Sequence, residues 1–158
     1  MEISRYAAET EVPVAKTKVA IESLLVQHGA TEYVSGWTET HDRLEFSLHN
    51  QRIRFVLPRP STTDTTITHD RRGVRRPPGA QQRVREQRDR QRWRALYLVI
   101  RAKIEAVEAG IAIFEQEFLA FIVGPNDLTV GDILVPRMQA GTAWKALPAD
   151  SGTAERET

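Results

Sequence analysis

RVREQRDRQRWRALYLVIRAKIEAVEAGIAIFEQEFLAFIV, residues 83–123, is the stretch on which the fold turns. Its apolar residues Trp93, Tyr97, Ile100, Ile104, Val107, Ile111, Phe114, Phe118 and Phe121 recur at alternating intervals of four and three. Those intervals hold side chains on one stripe of a helix and, sustained, make a heptad pattern. Ala102, Ala106, Ala109 and Ala112 favour helix in the same stretch. The spacing therefore predicts one long amphipathic helix from Arg83 to Val123, starting after Pro78-Gly79 and stopped by Gly124-Pro125-Asn126-Asp127. Gly110 is its weak point, where a bend is possible.

Upstream the period changes from helical to two. Leu44, Phe46 and Leu48 alternate with Arg43, Glu45 and Ser47, and Ile53, Phe55 and Leu57 alternate with Arg52, Arg54 and Val56. Alternation places each apolar set on one face of a sheet. His49-Asn50 is short enough to join the two runs as a hairpin, and Tyr33 to Thr38, rich in β-formers, adds a third strand. Pro58 and Pro60 end the sheet. Before it, Val14, Lys18, Ile21, Leu24, Leu25 and His28 sit at helical spacing between Pro13 and Gly29, a start and a stop for a first helix. After the long helix, Thr129 and Asp132 have the spacing of a capping box and open a short helix kinked or ended near Pro136. The fold class is α+β: an N-terminal helix, a small antiparallel three-stranded sheet, a long amphipathic helix and a short C-terminal helix. Residues 1–147 form a single domain, with an Arg-rich flexible loop at about 61–80, and residues 148–158 read as a disordered tail.

The heptad stripe is longer than the sheet. From Trp93 to Phe121 a helix spans roughly 42 Å at 1.5 Å per residue, against about 20 Å for a six-residue strand. Part of the stripe must meet the first helix, the C-terminal segment or a second chain. Self-association through Ile100, Ile104, Val107, Ile111, Phe114 and Phe118, as an antiparallel dimer or a larger homo-oligomer, is the expectation. Charge supports it, because Arg94 and Arg101 of one copy would approach Glu115 and Glu108 of the other. The alternative is a bend at Gly110 that folds the C-terminal half back onto the sheet and completes a monomer.

Lysine and arginine number 22 against 21 acids, a net charge of +1 that hides an uneven distribution. Arg71, Arg72, Arg75, Arg76, Arg83, Arg85, Arg88, Arg90, Arg92 and Arg94 are opposed within that stretch only by Glu86 and Asp89. Guanidinium forks bind phosphate oxygens bidentately, and clusters of them attract polyanions. The competing reading is a solvated face that keeps a long helix soluble. The polarity of the helix, basic at its start and acidic at its end, also opposes the helix dipole. Either a ligand at the basic end or antiparallel pairing would favour it.

Other chemistry is thinly represented. Cysteine is absent, which excludes disulfides, thiolate catalysis and Cys-based metal sites. His28, His41, His49 and His69 are scattered without metal-ligand spacing, and neither a phosphate-binding glycine motif nor a nucleophile elbow occurs. Glu105 and Glu108 share a helical face but read more simply as a solvated one. No metal, cofactor or catalytic residue is expected. Residues 1–6 lack the features of a signal peptide, and no apolar run approaches the ~18 residues of a membrane span. The expectation is a cytoplasmic protein.

Residues 33–37, 52–58 (RIRFVLP), 90–96 (RQRWRAL), 103–111 (KIEAVEAGI) and 115–120 resemble a family of short bacteriophage and prophage proteins. The resemblance covers most of Tyr6 to Arg137 and carries no catalytic motif. It implies a bacterial cytoplasm during infection or lysogeny, where small proteins of this kind are often DNA-transaction accessories or inhibitors of host defence. Two functions follow as expectations. One is a phage-encoded, non-enzymatic protein that binds nucleic acid or another polyanion through the Arg-rich segment. The other is an inhibitor of host antiviral defence that binds a host protein or sequesters a signal nucleotide.

Overall fold

A computed structural model describes residues 11–141 and gives the expected α+β architecture. Helix α1 spans Val14–Gln27. Strands β1 (Glu32–Trp37), β2 (His41–Leu48) and β3 (Gln51–Pro58) form one antiparallel sheet in the order β1-β2-β3. Helix α2 is a single turn, Thr65–Thr68, and helix α3 runs Pro78–Glu108. A second single turn, α4 (Phe114–Glu117), precedes 3-10 turns at Leu119–Phe121 and Pro125–Asp127, and α5 covers Val130–Gln139.

The sheet follows from the alternation. Tyr33 pairs with Phe46 and Phe46 with Ile53, which sets the apolar residues of three strands on one face. The β2–β3 turn is His49-Asn50, both with positive φ (50° and 60°), the handedness that matches the twist of a two-residue hairpin. On the inner face Leu44, Phe46, Leu48, Ile53 and Phe55 join Ile21 and Leu25 of α1 and Trp93, Leu96, Ile100 and Ile104 of α3 in one buried cluster. Helices α1 and α3 thus pack together and cover the sheet.

The long helix stops sooner than the spacing predicts. It ends at Glu108, with Ala109 as its C-cap, and Gly110 follows at φ 69°. Only glycine adopts that conformation without strain, and a left-handed residue here releases the chain from the helix. The chain then doubles back. Phe114 and Phe118 are buried against the sheet, Phe118 meeting Phe46 edge-on at 6.2 Å, and Phe121 stacks on Phe55 at 4.2 Å. Val123 N–H donates to the Arg52 carbonyl at 2.8 Å, and Ile53 bridges to Ile122. The apolar stripe is therefore split between a helix and a returning segment that shares its core.

This corrects the expected self-association seam. Ile100, Ile104, Phe114 and Phe118 lie inside the chain's own core, Val107 is half-buried against it, and Ile111, in the turn, is 80% exposed. A continuous heptad face over these six residues does not exist.

Beyond the return, α5 opens with the expected capping box: Asp132 N–H donates to Thr129 Oγ1 at 3.0 Å, and Thr129 N–H donates to Asp132 Oδ2 at 2.9 Å. Those bonds, the backbone one first, hold the Asp132 carboxyl below its ordinary range. Pro136 is accommodated and the helix continues to Gln139. It seats closely on the preceding turn, because a Cβ at Gly131 would lie 2.8 Å from the Ala120 carbonyl oxygen. Trp144, Leu147 and the tail expected to be disordered lie outside the described residues. Among the described residues no helix is long and apolar enough to cross a membrane.

Candidate functional site

The segment 61–76 is a loop by composition, yet it is tied down. Asp64 caps α2, its Oδ1 accepting from Thr66 N–H at 2.9 Å and from the Thr66 hydroxyl. Asp70 Oδ1 accepts from the N–H groups of Arg72 and Val74, closing a turn that brings Arg75 into a bridge with His69. Arg76 donates from Nη1 to the carbonyls of Thr66, Ile67 and His69, satisfying oxygens that the short helix leaves open. Residues 61–76 thus form a strap laid beside the start of α3, and the last three residues of the expected loop, Pro78 to Ala80, belong to that helix.

Helix geometry then sorts the arginines. At about 100° per residue, Arg85, Arg88 and Arg92 fall on one side of α3, and Arg83, Arg90 and Arg94 on nearly the opposite side. The first set faces the strap. Arg88 donates to Asp64 Oδ2 at 3.1 Å and to Thr66 Oγ1 at 2.7 Å, and Arg85 reaches the Thr62 carbonyl at 3.4 Å. Arg92 pairs with Asp89 and approaches Asp42 to 3.7 Å. Asp42, 3% exposed, accepts two bonds from Arg59, at 2.7 and 3.2 Å. In the second set Arg90 donates to Gln87, and Arg94 lies 4.7 Å from the Tyr97 ring centre.

The ten arginines are therefore not one patch, as the sequence suggests, but six engaged within the fold and four that are not. Arg85 and Arg88 clamp the strap to the helix, and Arg76 fastens the strap to itself. Arg71, Arg72, Arg75 and Arg83 are exposed, and their side chains have no partner among the described residues. Between the strap and α3 lies a groove. Thr65, Thr66, His69, Asp70, Arg71, Gly73 and Arg76 form one wall and Val84 and Arg88 the other, around a volume of about 740 Å³. It continues along α3 past Arg83, Gln87 and Gln91.

The acids near the groove are already engaged. Thr66 hydrogen bonds, and secondarily Arg88, hold the Asp64 carboxyl below its ordinary range, so it stays charged at neutral pH. Asp64 thus offsets Arg88 rather than the exposed arginines. Hydroxyl and amide side chains also line the groove, Thr65 on the strap and Gln87 and Gln91 along α3.

A second charged cluster, not anticipated from the sequence, lies on the outer face of the sheet. Arg54, almost buried, donates to Glu45, to the Asp127 carbonyl at 2.7 Å and to Asp127 Oδ1 at 2.6 Å; Arg52 also pairs with Asp127. Asn126 and Asp127 adopt positive φ (64° and 60°) to present that carboxylate. The bond from Arg54 keeps the Asp127 carboxyl below its ordinary range. These charges satisfy one another and pin the returning segment to β3. Among the described residues no group of histidines and carboxylates could hold a metal.

Comparison with known proteins gave no match: neither a protein family, nor a curated protein, nor a solved structure is similar to this chain.

Proposed function

We propose that this is a non-enzymatic binding protein that takes the phosphate backbone of a nucleic acid, or a similar polyanion, along the groove between the strap and α3. The observation that carries this reading is the division of labour among the arginines. Arg76, Arg85 and Arg88 hold the groove's shape, Arg71 and Arg83 line it, and these two, with Arg72 and Arg75 of the strap, are exposed and have no side-chain partner among the described residues. A merely solubilising charge belt needs no such scaffold. It also explains why the start of α3 is basic against the helix dipole, since the charge serves the groove. The bacterial and phage setting implied by the sequence resemblance is part of the proposal, and there the protein acts in the cytoplasm.

The test is salt-dependent binding to heparin and to DNA and RNA oligomers. Combined reversal of Arg71, Arg72, Arg75 and Arg83 to Glu, leaving Arg76 and Arg88 intact, should weaken binding and flatten the salt slope by about 3, at ~0.7–0.9 per phosphate contact. Absence of wild-type retention at low salt overturns the reading. The defence-inhibitor alternative then stands, to be tested by capture of a host protein or by calorimetry with nucleotides.

A further inference from the structure

Trp37 closes β1 at the sheet edge and is 71% exposed, the one exposed tryptophan, tyrosine or phenylalanine ring among the described residues. An indole in that position costs solvation and contributes little to the core. It is nevertheless not loose. The Arg59 guanidinium carbon lies 5.3 Å from the ring centre. Arg59 is itself fixed by two hydrogen bonds to buried Asp42, and the bonds to that carboxylate, with burial opposing, hold the guanidinium still more firmly charged. Asp42 also lies 3.7 Å from Arg92. Arg92 follows Arg88, which lines the groove, by one helical turn, about 6 Å. A chain of fixed charges therefore joins the groove to an exposed ring backed on one side by a cation.

We infer that Trp37 is a base-stacking platform and that the ligand is a single-stranded nucleic acid. The inference rests on the polyanion reading of the groove and names the class of polyanion. A strand held at its phosphates by the exposed arginines can lay a base on the open part of the Trp37 ring; a duplex keeps its bases stacked inside and cannot. Stacking on aromatic side chains tolerates any base, because every base has a π-face, and cationic support adds to it. Arg59, held by Asp42, limits the ring's freedom before binding, so less order is lost on contact. An RNA and a DNA strand offer the same chemistry at this ring, and the choice between them is left to the groove.

The experiment compares wild type, Trp37→Ala and Trp37→Phe against four probes: oligo(dT), oligo(U), a duplex DNA of equal length, and heparin, which has phosphate-like charge but no bases. Trp37→Ala should weaken binding of oligo(dT), oligo(U) or both about tenfold and leave heparin retention and duplex binding unchanged. Trp37→Phe should recover most of the loss. Single-stranded oligomer should quench part of the tryptophan emission of the wild type and less of that of Trp37→Phe. The exposure of the side chain predicts an unchanged thermal midpoint for both variants, which separates stacking from unfolding. If heparin retention persists but Trp37→Ala binds the single strands like wild type, or loses all four probes equally, the platform is overturned and the groove survives. If wild type retains neither heparin nor oligomers, the groove reading fails and the platform with it.

Discussion

Asp42 shows at the scale of one residue how position changes the meaning of a charge. In the sequence it ends the polar run Glu39-Thr40-His41-Asp42; in the structure it is buried at the start of β2 between Arg59 and Arg92. Removing a buried partner strands the opposite charges, at about 3–5 kcal/mol for fully buried pairs. Arg59 keeps a third of its side chain in water, so Asp42→Ala should cost about 2–4 kcal/mol, measured by urea unfolding. A cost below about 1 kcal/mol would mean that solvent already screens the pair. Asp64 gives a pH prediction. Its folded-state carboxyl titrates below the ordinary value, so its contribution is complete above about pH 4 and is lost as pH falls through the folded value. Asp64→Asn should remove part of the acid-side decline in stability while loosening Arg88 at neutral pH. An acid profile identical to wild type would show that the cap is not formed in solution. Neither pairing was legible in the sequence, because Asp42 and Arg59 are 17 residues apart and Asp64 and Arg88 are 24 apart. The Thr129–Asp132 box was legible because its partners are three residues apart on one helix turn.

Elements defined by local periodicity are legible in the sequence, and the structure departs from that reading where one period outlives its helix. The hairpin, β1, α1 and α5 are set by alternation, turn residues and caps within a few positions of each other. The interval of four and three continues from Val107 through Ile111, Phe114 and Phe118, so it favours helix on either side of Gly110. The returning segment keeps apolar residues at that interval because Phe114 and Phe118 face the same core from a different direction. Gly110 decides between the two accounts, and it gives a test of opposite sign. With φ at 69° and open space around a would-be Cβ, Gly110→Ala meets only backbone strain and should destabilise by about 1–2 kcal/mol. In an unbroken helix the same change would stabilise by about 0.8–1 kcal/mol. Calorimetry or urea unfolding distinguishes the two. A companion pair checks the split of the stripe: Ile104→Ala should cost about 2–5 kcal/mol, and Ile111→Ala no more than about 0.5 kcal/mol. Equal costs would restore the continuous seam.

For the whole molecule the question is whether one copy is enough. Three features of the sequence favour an antiparallel dimer: a stripe too long for the sheet, a reversed charge polarity, and aromatic area in need of cover. Each has an intramolecular answer. The stripe is shortened by the turn at Gly110 and its second half lies on the sheet. Phe114, Phe118 and Phe121 are covered by Phe46, Phe55 and one another. The acids at the end of α3 have partners in their own chain, Glu105 with Arg101 at 2.8 Å, Glu108 with His28, and Glu117 of the returning segment with Lys103 at 3.0 Å. Arg101 and Glu108, two of the residues cast as cross-chain partners, are thereby engaged. Such exposed pairs are worth only about 0–1 kcal/mol each, so they remove the electrostatic reason for a dimer without forbidding one. What remains outside lies on several elements, among them Val19 and Val26 on α1, Val34, Trp37 and Val56 on the sheet, Val99 on α3, Ile111 and Ile113 in the turn, and Val135 and Met138 on α5. Dimerising through the original seam would require withdrawing Ile104, Phe114 and Phe118 from the core, at a cost comparable to unfolding it. The expected mass by light scattering is therefore that of one 17.9 kDa chain, unchanged as protein concentration rises through the micromolar range. A mass that doubles with concentration, and reverts in Ile111→Glu, would place the contact at the Gly110 turn, where apolar surface is exposed. A doubling that reverts only when Phe118 is changed would show that the core itself opens to a second copy, and the compact fold described for one chain would then be half of an exchanged pair.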